Sequence, residues 1–102
     1  MVNKNFYSKF LVCYDIEENK SRTKFFDRMK DIGLVPIQKS VFYGDLNNAE
    51  MISIKKIAFE LLNPATDKCL IVKCNLQPEQ IKQQGIGYSN FVYIEPDGYR
   101  SI

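Results

Sequence analysis

Two stretches of this chain are apolar on both faces, and that constrains its fold more than any other feature. Residues 6–14 read Phe-Tyr-Ser-Lys-Phe-Leu-Val-Cys-Tyr, a run rich in aromatic and β-branched residues that predicts a strand. Along it Phe10, Val12 and Tyr14 point one way while Leu11 and Cys13 point the other. The segment from Lys68 to Asn75 repeats the pattern, with Leu70, Val72 and Cys74 opposing Cys69 and Ile71. Two helices can cover only one face of such a sheet, so the second apolar face needs another cover. In a chain of 102 residues the expected cover is a second copy, giving a two-fold dimer.

The elements between these strands follow from spacing. Asp15 stands at the C-terminal end of the first strand, and Glu17 to Lys20 form a polar connection. A helix is expected over about Ser21 to Ile32, with Phe25, Met29 and Ile32 on one face and Gly33 as its left-handed stop. A second strand covers about Val35 to Tyr43, with Pro36 at its start or on an edge because proline has no ladder N–H. Gly44-Asp45 reads as a turn, and Asn47 with Glu50 three residues on reads as a capping box. The helix that follows shows Met51, Ile54, Ala58 and Leu61 in one stripe and stops at Asn63-Pro64. After the third strand, Pro78 to Gln84 predicts a short helical turn, Gly85 to Tyr88 a brief strand and Phe91 to Ile94 a clearer one. The chain thus reads as one α+β domain over residues 1–102, with its core at about 6–95 and a tail at 96–102. The order obtained is β-α-β-α-β-β, because the second strand runs straight into the second helix. A ferredoxin-like two-layer sandwich needs β-α-β-β-α-β, so it requires an unconventional strand to close this sheet.

Composition removes several function classes. The chain has no histidine, which excludes a Ser-His-Asp or Cys-His nucleophile system. Hydrolysis here must use carboxylates, hydroxyls, lysine or a bound metal. The three cysteines, Cys13, Cys69 and Cys74, form no C-x-x-C pair and lie in apolar runs, as buried structural thiols do. No apolar run approaches the ~18 residues of a membrane span. Lys9 breaks the first apolar stretch, so no secretory signal is expected and the cytoplasm is the expected location. A net charge of +2 says little about nucleic acid, but its distribution says more. Lys20, Arg22, Lys24, Arg28 and Lys30 face a single acid, Asp27, within eleven residues. That cluster is either a solvated helix face or a phosphate-binding surface.

Taken in order, Tyr14-Asp15-Ile16, Asn19-Lys20-Ser21-Arg22, Gly33, and Gln38-Lys39-Ser40-Val41-Phe42-Tyr43-Gly44 resemble the Cas two family. These are the small CRISPR-associated proteins of the spacer-acquisition module. The likeness spans roughly residues 6–76. It implies a ferredoxin-like protomer with an antiparallel sheet and two helices on one face. It also implies a sheet-to-sheet homodimer in which a C-terminal strand adds to the partner's sheet. Some members are described as magnesium-dependent endonucleases acting on RNA or double-stranded DNA. Others bridge two Cas one integrase dimers and hold the protospacer DNA. The position matching the family's metal-binding aspartate is Asp15, and Arg22, Ser40 and Phe42 match further family positions. Ser21 stands where many members have a second arginine, and Tyr43 where many have an acid.

The resemblance makes Asp15 the candidate catalytic and metal-binding residue, for magnesium or another divalent cation. One carboxylate does not hold magnesium alone, but two copies of Asp15 across a dimer would meet that need together with waters and phosphate oxygens. Two such carboxylates repel unless a cation intervenes, which predicts a metal requirement and an alkaline preference. The plainer reading is that Asp15 caps a turn or the following helix. The rival function is a non-catalytic scaffold in which Lys20, Arg22, Lys24, Arg28 and Lys39 contact phosphates along DNA. Phe42 reads either as a stacking surface for a base or as core. A toxin-type ribonuclease of related fold is a third alternative.

Overall fold

A computed structural model describes residues 6–91, and among these residues four antiparallel strands and three helices are found. In chain order they are β1 (Ser8–Asp15), α1 (Asn19–Ile32), β2 (Val35–Gln38), β3 (Val41–Leu46), α2 (Asn48–Leu61), β4 (Lys68–Lys73) and α3 (Pro78–Gln84). The sheet order is β2-β3-β1-β4, so β1 lies inside and β2 and β4 are the edges. Phe10 faces Gly44 of β3 and Lys73 of β4, and Val12 faces Phe42 and Ile71.

The expected single strand over Val35–Tyr43 is instead a hairpin, and this corrects the order of elements. The chain breaks at Lys39-Ser40, where Ser40 takes a left-handed φ of 65° and β3 returns against β2. A β-branched or bulky residue resists that conformation, whereas serine tolerates it at a modest cost. The order becomes β-α-β-β-α-β, and no unconventional closing strand is needed because β4 pairs with β1 directly. Gly44 and Asp45 do not turn the chain: they lie inside β3, paired with Phe10 and Lys9. Gly85 to Tyr88 is likewise not a strand. The expected strand over Phe91–Ile94 and the tail beyond it lie outside the described residues, apart from Phe91.

Local chemistry explains the helix ends. Gly33 adopts φ 107°, and the Leu34 amide donates to the Met29 carbonyl at 3.2 Å, so the freed carbonyls at the end of α1 are met. At α2 the Asn47 side chain accepts from the Glu50 amide at 2.8 Å and Glu50 accepts from the Asn47 amide at 3.0 Å. Pro36 sits in edge strand β2, where its missing N–H costs little.

The core lies between the sheet and the two long helices. Val12 and Tyr14 of β1 and Phe42 and Leu46 of β3 meet Phe25 and Met29 of α1 and Ile54 and Ile57 of α2. Aromatic rings hold its centre: Tyr14 to Phe25 at 4.8 Å between centroids, and Phe26 to Phe42 at 5.1 Å. The three cysteines are free and only half-buried rather than fully enclosed. Burial, and then Cys13, push the Cys69 thiol up to about 11.

The opposite face is apolar too. Leu11, Cys13 and Val41 are half-buried there, while Leu70 and Val72 are exposed. The chain leaving β4 covers one part of it. Tyr43 points to this face yet is 2% exposed, and its hydroxyl accepts the Leu76 amide hydrogen at 2.6 Å. Further on, the Tyr88 hydroxyl donates to Gln38 Oε1 at 2.6 Å, reaching the β2 edge.

Two stability measurements check this packing. Phe42→Ala should cost about 3–5 kcal/mol in denaturant unfolding, since it empties the middle of the aromatic cluster. Ser40→Val should cost about 1–2 kcal/mol through its left-handed backbone, on top of the lost Tyr14 hydrogen bond, whereas Ser40→Gly should lose only that bond, about 0.5–1.5 kcal/mol.

Candidate nucleic-acid interface

Asp15 is the last residue of β1, paired in register with Lys68 of β4. β1 is one of the two inner strands; at its end Asp15 is paired on the β4 side, while the ladder to β3 ends at Cys13 and Val41. The Asp15 side chain is exposed, and among the described residues its carboxylate has no hydrogen bond or ion pair. It is a charged group held ready at a rigid strand end, and it caps neither a turn nor α1. Among the described residues no three carboxylates or thiols come together in a way that could hold a metal ion. Asp15 is therefore not part of a ready-made cluster of metal ligands among the described residues.

Next to this strand end the β2–β3 hairpin folds onto β1. The Tyr14 amide donates to the Ser40 carbonyl at 3.1 Å, tying the hairpin to the residue before Asp15. A shallow groove of about 230 Å³ opens here, lined by Tyr14, Arg22, Thr23, Phe26, Lys39 and Ser40. It gathers Arg22, Lys39 and Ser40, residues up to eighteen positions apart in sequence. Burial raises the Tyr14 phenol above its usual range, against the opposing pulls of a Ser40 side-chain hydrogen bond and the Arg22 charge. The phenol therefore stays protonated at neutral pH and serves as a hydrogen-bonding group.

Arg22 is more occupied than its sequence position suggests. Its Nη1 donates to the Ile16 carbonyl at 2.9 Å and to the Glu17 carbonyl at 3.3 Å. Its Nη2 donates to Asn19 Oδ1. The guanidinium thus holds the β1–α1 connection, and Arg22 also lines the groove. Lys20, Lys24 and Arg28 stand exposed along α1 at four-residue spacing, with no ion pair among the described residues. Phe42 lies elsewhere. It is fully buried between Tyr14 and Phe26, so its ring belongs to the core and is closed to a base.

Three groove residues are not reached by reasoning from the sequence: Tyr14, Thr23 and Phe26. Tyr14 alternates toward the core, and only the side-chain hydrogen bond between Ser40 and its phenol shows that its hydroxyl end reaches the hairpin beside the groove. Thr23 and Phe26 lie between the basic positions of α1, where spacing alone does not separate groove from core. Asp67 is a further partner of this region that no local signal marks. Its Oδ1 accepts the Glu17 amide hydrogen at 3.0 Å, two residues past Asp15.

Comparison with known proteins agrees with this fold and with the order of motifs. The family described as CRISPR associated protein Cas2 matches residues 8–83. A protein of Francisella tularensis subspecies novicida, named CRISPR-associated endoribonuclease Cas2 1, is 35% identical over 94 residues, covering 92% of this chain and 95% of that protein. The crystal structure of a hypothetical protein from Thermus thermophilus superposes with a TM-score of 0.64 at 27% identity, over 70% of this chain and 85% of that one. The Streptococcus pyogenes Cas2 crystal structure shares the fold with a TM-score of 0.60 at 21% identity, over 74% of this chain and 93% of that one. The match runs from the first residue of β1 into α3, through every element that shapes the groove, and the chain belongs to the CRISPR-associated Cas2 family.

Proposed function

We propose that this chain is the dimeric, DNA-holding subunit of CRISPR adaptation, acting with the Cas one integrase to capture and insert new spacers. We further propose that it carries a magnesium-dependent endonuclease activity on RNA or double-stranded DNA, centred on Asp15. The observation that carries this reading is the exposed, unpaired Asp15 carboxylate at the end of β1, one residue past Tyr14, which lines a groove with Arg22, Lys39 and Ser40 on its walls, although Asp15 itself is not among the lining residues. The name of the Francisella relative, an endoribonuclease, supports the activity. No helix among the described residues is long and apolar enough to cross a membrane. The proposed place of action is the cytoplasm.

Two features favour self-association. The sheet face carrying Leu11, Cys13, Leu70 and Val72 is apolar and only partly covered by the described residues. Strand β4 is an edge whose outer side borders an apolar hollow of about 580 Å³, lined by Phe59, Leu62, Leu70 and their neighbours. An edge of that kind accepts an added strand, and the C-terminal segment of a partner copy fits the requirement. The two-fold dimer would bring a second Asp15 to the site.

In this reading the residues divide the task. Lys20, Lys24, Arg28 and Lys39 hold phosphates by charge, without reading sequence. Ser40 and Tyr14 offer hydroxyl groups for hydrogen bonds at the groove wall. Asp15 from each copy would hold the cation. When bound, magnesium would polarise the phosphate and lower the pKa of an attacking water. A non-catalytic scaffold is the second reading. It is favoured by the exposed stripe of Lys20, Lys24 and Arg28.

One comparison separates the two. With magnesium present, Asp15→Asn should lower the cleavage rate of RNA or duplex DNA by at least ~100-fold while binding is retained. Cleavage that survives a chelator or the Asp15→Asn change would refute the catalytic assignment. Lys24→Ala with Arg28→Ala should weaken binding to all sequences alike and reduce the salt slope by about 1 for each phosphate left without its cation. Wild-type protein that binds but cleaves neither substrate supports the scaffold, and co-purification with the integrase subunit tests the adaptation role.

A further inference from the structure

The segment after Asp15 has no ladder partner, so its course depends on side chains that capture its backbone. Two do so. Arg22 takes the Ile16 and Glu17 carbonyls, as described above. Asp67 takes the Glu17 amide hydrogen, fifty residues away in sequence.

Asp67 suits this role because its own loop holds its carboxylate still. Its Oδ2 accepts the Asn63 amide hydrogen at 2.9 Å, and its Oδ1 accepts the Thr66 hydroxyl at 3.0 Å. The loop is itself closed by the Asp67 amide donating to the Asn63 carbonyl at 2.8 Å and the Ala65 amide donating to Asn63 Oδ1 at 3.0 Å. One donor on each oxygen leaves the carboxylate little freedom to rotate, and the second lone pair of Oδ1 is given to Glu17. The amides of Asn63 and Glu17 and the Thr66 hydroxyl hold this carboxyl below its ordinary range, in keeping with a group that stays an ionised acceptor. Lys68, the next residue, is the register partner of Asp15. The adjacent pair Asp67-Lys68 therefore anchors both the last ladder position of β1 and the connection beyond it.

We propose that Asp67 is a positioning residue for Asp15: by capturing the Glu17 amide it sets where the Asp15 carboxylate leaves the strand end, and so its readiness to hold a divalent cation. The proposal rests on the reading of Asp15 as the cation-holding carboxylate. Replacing Asp67 should leave the phosphate-binding stripe of α1 intact, because among the described residues neither Lys20, Lys24 nor Arg28 is paired with it.

The test uses the full chain as Asp67→Ala, Asp67→Asn and Asp15→Asn, at a temperature where each is folded. Manganese ion is the probe, its binding followed by paramagnetic broadening at the Asp15 amide. Hydrogen exchange at the Glu17 amide and duplex DNA binding in chelator are measured beside it. In Asp67→Ala, Glu17 exchange should quicken by about tenfold, the size of one missing hydrogen bond. The manganese midpoint should rise several-fold, and DNA affinity in chelator should stay within about twofold. Asp67→Asn should fall between, since an amide has one oxygen to share where the carboxylate has two. A faster Glu17 exchange with an unmoved manganese midpoint would reduce Asp67 to a loop cap and overturn the proposal. So would an unchanged Glu17 exchange. If Asp15→Asn binds manganese as the parent does, the reading of Asp15 itself falls. Weaker manganese binding in Asp15→Asn with no change in Asp67→Ala overturns the positioning role alone.

Discussion

The antiparallel pairing of β1 with β3 on one side and β4 on the other carries the rest of this structure. An inner strand has both rows of its backbone groups engaged, so its course is fixed more firmly than any loop would be. Asp15 is placed by that ladder. The hairpin reaches the site because Tyr14 donates to Ser40, and the loop after α2 reaches it because Lys68 pairs with Asp15 and Asp67 captures Glu17. Two segments that are far apart in sequence thereby converge on the end of one strand.

The aromatic cluster performs a second task at the same place. Tyr14, Phe25, Phe26 and Phe42 fill the core under the groove, so the groove floor is rigid hydrocarbon with a phenol hydroxyl at its rim. Ser40 bears the local cost of a left-handed backbone at the hairpin tip. Such strain is kept where surrounding contacts over-determine it, and it often marks a functional position. Arg22 likewise serves two ends at once. Its guanidinium stabilises the β1–α1 connection through two backbone carbonyls, which limits how much of its charge remains for a phosphate.

Much of this is legible in the sequence. Alternation in residues 6–14 and 68–75 marks the two apolar faces, because side chains in a strand alternate by covalent geometry alone. The capping box at Asn47, the stop at Gly33 and the short helix at Pro78–Gln84 depend on nearest-neighbour chemistry and are readable for that reason. The hairpin is not. Residues 35–43 keep a strand-like composition across the break, and Lys39-Ser40 lacks the Gly or Asn that usually announces a tight turn. Phe42 and Tyr43 illustrate a similar difficulty: adjacent aromatics in one strand are buried on opposite faces, one by the helices and the other by the chain returning past Leu76.

By itself, then, the sequence determined the types of β1, α1, α2, β4 and α3, the doubly apolar sheet and the place of Asp15 at a strand end. All of these are set within a few residues by side-chain alternation, helical period and capping. The tertiary structure alone decided that the fourth strand closes on β1, that Lys39 and Ser40 stand beside Arg22, and that Phe42 is shut away in the core. It also decided that Asp67 reaches Glu17, two residues past Asp15. Those are contacts between segments far apart in the chain, and they exist only once burial of the shared core has made it favourable to bring the segments together.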